Sequence, residues 1–256
     1  MKRLLLIAGA SAGLLAGAPA YAQFAVSAAV EYFTWTEDTS PIEVRETGPM
    51  FALGLEWTQR KDTGLLGAYR GRFYVGDVDY SGALLFDPTV PVKSTTSYIG
   101  MSNEGQLRYR LPQQRSYWLD LVASVGLDVW KRELQTDQQE DYRVGFLRLG
   151  VEIGNTAETG VVAGLGLKYP FWVEEDANFT VAGYDQNPTL KPGGDPSFYG
   201  QIGYRFRRNL AVVGYVDGFR FTQSPPVTVT QGVNTYQFYQ PASTMLVLGV
   251  KLQYLF

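Results

Sequence analysis

The chain contains neither cysteine nor histidine among its 256 residues. Without cysteine it forms no disulfide and offers no thiolate to a metal, even in an oxidising compartment. Without histidine it lacks the usual general base and the commonest metal ligand, so no cofactor is expected. Long apolar runs are also missing: after Gln23 every apolar segment is interrupted by Gly, Tyr or a charge, whereas a helical span needs roughly 20 residues. The single longer run, from Leu4 to about Leu15, follows Lys2 and Arg3 and precedes Ala20-Tyr21-Ala22. A basic start, an apolar centre and an A-x-A-type end read as a secretory signal peptide over 1–22, cleaved between Ala22 and Gln23, with 23–256 as one domain. Cleavage takes Lys2 and Arg3 from the 22 basic residues, leaving 20 against 25 acidic ones, a net charge of −5. Nucleic acid is therefore not an expected partner.

Glycine (28) and tyrosine (17) are plentiful, which favours an all-β chain. Hydrophobicity alternates in ten segments, 24–35, 50–57, 65–76, 96–111, 117–130, 142–154, 160–171, 198–206, 210–221 and 244–256. Segments of about ten residues with period two are the signature of a transmembrane antiparallel up-and-down β-barrel. Short polar turns at 58–64, 112–116, 155–159 and 207–209 alternate with longer connections at 36–48, 77–95, 131–141, 172–197 and 222–243. The expectation is thus ten strands, four short periplasmic turns and five extracellular loops, with both termini in the periplasm. In the last loop, 227–230 and 235–239 flank Gly232-Val233-Asn234 and predict a β-hairpin.

Giving each strand the parity that sends its larger apolar residues outward decides where the charges fall. Glu31, Glu56, Arg70, Arg72, Glu104, Arg108, Arg110, Asp120, Asp128, Arg148, Glu152, Lys168, Arg205, Asp217 and Lys251 then face the lumen. Only Arg143 and Arg220 face outward, both near the extracellular ends, where a charge costs about 0–1 kcal/mol rather than 2–4 at mid-bilayer. A soluble sandwich would send its charges to water and its bulky apolar residues to a shared core. Outward aromatics form two belts: Trp57, Tyr109, Tyr117, Tyr204, Tyr254 and Phe256 near the periplasmic rim, and Tyr32, Phe73, Tyr169, Phe171 and Phe198 near the outer one.

The chain closes with Leu248, Val250, Leu252, Tyr254 and Phe256 on one face. This ending resembles the C-terminal targeting signal of Gram-negative outer-membrane barrels, and the resemblance implies insertion by the barrel-assembly machinery. Trp35 with Glu37, Glu46-Thr47-Gly48-Pro49 and Gly76-Asp77-Val78-Asp79-Tyr80 look similar to stretches of uncharacterised proteobacterial barrel proteins, a likeness that brings no activity. Gly48-Pro49 and Gly82 read as turn formers.

A ten-stranded barrel is narrow, and the inward set includes large residues such as Trp118, Trp130, Tyr199 and Tyr215. The expected interior is a plug of arginine–carboxylate pairs and aromatics, since buried charges must be paired. The alternative is a narrow, weakly anion-preferring pore or transporter, because the strands carry ten basic and seven acidic residues. The five long connections sum to −11 and the short turns to +3. Such an acidic crown is expected to be a solvated, repulsive surface, with binding of a cation or of divalent ions against lipopolysaccharide as the alternatives. Glu174-Glu175-Asp176 and Asp77 with Asp79 lack the spacing of an EF-hand loop. The omptin proteases resemble this chain in strand number, but their catalytic aspartates work with a histidine that is absent here. No G-x-S-x-G marks a serine hydrolase, and Gly164-Leu165-Gly166 sits mid-strand, so no enzyme is expected. The reading is a monomeric barrel in outer-membrane lipid beside lipopolysaccharide, its acidic loops serving surface ligand binding, adhesion or envelope integrity. Tyr80, Phe86, Tyr184, Tyr236, Phe238 and Tyr239 are the loop aromatics that either contact an extracellular ligand or pack on one another.

Overall fold

A computed structural model of the chain describes residues 22–84, 87–112, 116–134 and 138–256. Apart from Ala22, the expected signal segment lies outside the described residues, as does Phe86. The strands are β1 (Ala22–Glu37), β2 (Val44–Gln59), β3 (Gly64–Leu84), β4 (Asp87–Arg110), β5 (Tyr117–Leu134), β6 (Gln139–Asn155), β7 (Gly160–Ala177), β8 (Thr189–Leu190), β9 (Gly193–Asp195), β10 (Ser197–Arg207), β11 (Leu210–Thr222), β12 (Val227–Gln231), β13 (Asn234–Phe238) and β14 (Ser243–Leu255). Ten of them, β1–β7 with β10, β11 and β14, pair antiparallel with their neighbours, and the ladders β7–β10 and β1–β14 close the ring. Closure leaves no strand edge bare, the condition for crossing hydrocarbon that supplies no hydrogen-bond partners.

Alternation sorts the faces. Val30, Leu53, Leu107, Leu149, Leu165, Ile202 and Val250 stand exposed on the outside, and Tyr32, Phe73, Phe171, Phe198, Tyr109, Tyr204, Tyr254 and Phe256 are exposed above and below them. Such a continuous apolar belt is a surface for lipid. Several strands outrun the sequence expectation at the long-loop end: β2 starts at Val44 instead of Met50, and β7 runs to Ala177 instead of Phe171. Gly48-Pro49 is no turn but lies within β2, with Pro49 opposite Tyr32. Proline has no N–H for a ladder, and the β2–β3 pairing accordingly skips from Thr47 to Phe51. The two strands pass so closely here that a Cβ on Gly48 would lie 2.9 Å from Val78 Cα, and one on Gly76 would lie 2.7 Å from Pro49 O. Gly82 likewise belongs to β3.

β10 is only 11 residues long, and both its neighbours rise past its start. The connection from β7 to β10 fills the gap with its own short strands, β8 on β7 and β9 on β11. The β12–β13 hairpin, tightened at Gly232 (φ 59°), stands over this connection. Ala177, Phe179, Tyr184 and Val229 form a small core between them, with Phe238 packed against it.

Candidate functional site

The side chains that chemistry requires are stacked along the bore in layers. At the short-turn end Arg110 forks onto Asp120 at 2.8 and 2.9 Å, Arg108 reaches Glu152 at 2.8 Å, and Lys251 reaches Glu56 at 2.6 Å. Arg70 lies 2.8 Å from Glu152 and 3.9 Å from Glu56. A cavity of about 340 Å³ sits among these groups and extends to Arg205 and Asp62. Mid-bore, Arg72 and Tyr215 both bond Glu31, Tyr74 donates to Asp128 at 2.9 Å, and Lys168 approaches Asp217 at 3.2 Å. Arg148 bridges Asp217 and Glu104. Paired in this way, charged groups can face a narrow bore, because nearly every desolvated ion keeps a counterion, and Asp128 the Tyr74 hydroxyl. Of the fifteen lumen residues expected from parity, Arg205 stands apart, with no ion pair or hydrogen bond among the described residues and its Nε buried without a partner.

Above these charges the bore is filled by rings. Phe33, Trp35, Tyr98, Trp130, Tyr142, Phe146, Phe219 and Phe221 are each no more than 4% exposed. Trp130 stacks on Tyr142 at 4.8 Å, Phe33 meets Tyr98 at 4.7 Å, and Phe146 meets Phe219 edge-on at 5.7 Å. All eight share the parity of the lumen charges on their strands: Phe33 and Trp35 with Glu31, Tyr98 with Glu104, Trp130 with Asp128, Tyr142 and Phe146 with Arg148, and Phe219 and Phe221 with Asp217. Glycine makes room for one of them and for two tyrosines of the mid-bore charge layer. A Cβ on Gly126 would collide with the Phe146 ring, one on Gly100 with Tyr74, and one on Gly249 with Tyr215. The same close packing accounts for Gly166, whose Cβ would meet Leu149 O and the Tyr199 ring.

Over the rings lies a second charged layer that the fifteen expected residues do not include. Arg132 contacts Glu46 at 2.6 Å, Glu140 at 2.6 Å and Glu37 at 3.4 Å, and all four side chains are buried. Trp35 Nε1 donates to Glu37 at 2.9 Å, Thr96 Oγ1 to Glu46 at 3.1 Å, and Gln138 Nε2 to Glu140 at 2.8 Å, while Tyr98 also donates to Glu46. Glu175 completes the layer at 1% exposure, and its Oε2 finds no hydrogen-bond partner. At this height the outer face carries Lys131, Arg143, Glu174 and Asp176, so the layer stands clear of the apolar belt. Burial, then the neighbouring Glu140 and Glu37, push the Glu175 carboxyl well above the ordinary range. Burial also raises Glu37, against the pull of Arg132.

This layer corrects the reading of the acidic crown. Glu37, Glu46, Glu140 and Glu175 belong to strands and point inward, so part of the −11 is buried instead of solvated. The triplet Glu174-Glu175-Asp176 is divided by the strand: Glu175 faces in, Glu174 pairs with Lys191 at 3.5 Å, and Asp176 pairs with Arg143. Asp77 accepts a bond from Ser97 Oγ at 2.6 Å. Among the described residues no group of three or more acidic side chains is placed to hold a metal ion. Of the loop aromatics, Tyr184 packs edge-on to Tyr236 at 5.6 Å and to Phe238 at 5.2 Å, Tyr80 is buried, and Tyr239 is exposed.

No protein-family model and no curated protein matches the sequence. In solved structures the chain is similar to the outer membrane protease OmpT from Escherichia coli, with a TM-score of 0.59 at 12% identity over 94% of this chain and 99% of that one. It is also similar to the transport unit of the autotransporter AIDA-I from Escherichia coli, with a TM-score of 0.44 at 8% identity over 94% and 92% of the two chains. An outer membrane channel from Pseudomonas putida F1 gives a TM-score of 0.42 at 11% identity over 94% and 97%. At such identities the OmpT likeness speaks for the fold alone: a closed ten-stranded barrel of the outer-membrane kind.

Proposed function

We propose that this protein is exported by a signal peptide cleaved between Ala22 and Gln23, is inserted by the barrel-assembly machinery through its terminal Phe256, and works as a monomer at the outer membrane. Its long-loop end faces outward, beside lipopolysaccharide. There it acts in surface ligand binding, adhesion or envelope integrity, rather than as a pore. The observation that carries this reading is the ring layer: eight aromatic side chains, each no more than 4% exposed, stand across the bore between two layers of paired charge. Ions crossing such a layer would have to shed their water against apolar faces, a cost of many kcal/mol without fixed counter-charges. The same packing supports a non-enzymatic role, since the lumen carboxylates have cations or hydroxyls as partners and no histidine exists to act as their base.

Single-channel recording in planar bilayers tests the reading. The wild-type barrel is expected to stay silent at up to physiological voltages. Discrete openings whose conductance changes in Arg108→Ala would establish the pore instead.

A further inference from the structure

We propose that the cavity at the short-turn end of the bore is a binding site for a phosphate-type oxyanion, held by Arg205. The Arg205 guanidinium lines this cavity of about 340 Å³, and its Nε is buried without an acceptor. A donor that is charged and shielded from water, yet unpaired, is the group for which an added acceptor gains most. Arg70, which lines the same cavity, is already matched by Glu152 at 2.8 Å and by Glu56, 3.9 Å from its Nε. Arg205 has no carboxylate within ion-pair distance among the described residues, and the charge acting on it is the like-signed Arg60. Its ladder neighbours are Ala211 and Gly160, too small to cover the guanidinium.

The remaining cations do not compete for this role, because Arg110, Arg108 and Lys251 are matched by Asp120, Glu152 and Glu56. They instead keep the cavity's potential from turning negative around those carboxylates. Planar guanidinium forks suit the oxygens of a phosphate better than a spherical anion, since each fork can engage two of them. The cavity volume falls at the low end of the range of about 300–1,000 Å³ for ligand sites, enough for a phosphate with its water or for a phosphorylated headgroup. Free phosphate and the headgroup of a phospholipid in the adjoining leaflet share this chemistry. The site lies at the opposite end of the barrel from the proposed surface function and does not depend on it.

The test uses the complete mature barrel in a non-ionic detergent, titrated with inorganic phosphate and, separately, with short-chain phosphatidylglycerol, and followed by ³¹P line broadening and by the unfolding midpoint. Binding by the wild type is expected to weaken about tenfold or more in Arg205→Ala, the size expected for losing one charged hydrogen bond. Arg60→Glu, on an exposed turn, supplies a competing carboxylate and should weaken binding in the same direction while leaving the fold unaffected. Phosphate binding without lipid binding identifies the free ion; lipid binding that phosphate displaces identifies the headgroup, and either supports the site. Binding of neither probe, or binding that both variants leave unchanged, overturns it.

Discussion

Replacing Glu175 by glutamine should make the protein more stable at neutral and alkaline pH while changing little in acid. Glu175 is buried to 1% exposure with one carboxylate oxygen unpartnered, and Glu37 and Glu140 lie near it. The other groups facing it across the layer are Arg132, held by three carboxylates, and Tyr142. Its folded pKa lies well above the ordinary 4.5. Between those two values the native state binds more protons than the unfolded state, so the wild type loses stability as pH rises through that window. The loss is about 1.4 kcal/mol for each pH unit, or roughly 3 kcal/mol over two units. Glutamine copies the shape of the protonated acid and cannot ionise, so at pH 5 its cost is no more than one hydrogen bond, about 1 kcal/mol. Urea unfolding in detergent at pH 5, 6, 7 and 8, run on both proteins, reads this group together with the Glu37 and Glu140 titrations to which it is tied, because the distant titrations cancel in the difference. A stability difference that stays flat across that range refutes the reasoning, as does a glutamine variant several kcal/mol weaker at pH 5.

Arg132→Met should be the most damaging change at the long-loop end, about 3–5 kcal/mol by the same unfolding measurement, because it leaves Glu37, Glu46 and Glu140 buried without their cation. Gly126→Ala should cost about 1–3 kcal/mol, since the new methyl meets the Phe146 ring, whereas Gly105→Ala, with nothing within 4 Å, should be neutral. Phe238→Ala removes edge-on contacts to Phe179 and Tyr184 at 4.7 and 5.2 Å, roughly 1–2 kcal/mol of ring pairing. It should therefore speed proteolysis of the 178–196 connection in the detergent-solubilised barrel about tenfold, with the melting temperature of the barrel unmoved.

The barrel and its ten strands are legible in the sequence because lipid enforces alternation without exception across the belt. Above the belt that enforcement ends. Glycine and proline then read as breaks, which is how Gly48-Pro49 hid the first six residues of β2 and, with them, the buried Glu46. Glu37 and Arg132 keep the parity of β1 and β5 and are reached simply by letting the strands run on. Glu175 does not. Gly145 pairs with Trp172 and Phe146 with Pro170, so Phe171 is an extra residue in β7 that turns every later side chain over. Two adjacent large aromatics, Phe171 and Trp172, both exposed, are the trace this bulge leaves in the sequence. The ring layer follows the parity of the lumen charges: Phe33 and Trp35 share a face with Glu31, and Phe219 with Asp217, so the strands that place the lumen charges also place the rings. What alternation does not show is which rings meet, Trp130 on Tyr142 and Phe146 on Phe219.

The short β10 makes the barrel's rim a spliced one. Above Ser197 the flanks of β7 and β11 are satisfied by β8 and β9, pieces of a connection that a single cut could release. A chain trimmed there would still cross the membrane. It would also carry two vacant hydrogen-bonding tracks at its long-loop end, open to the same segment from a neighbouring copy, and copies would string together.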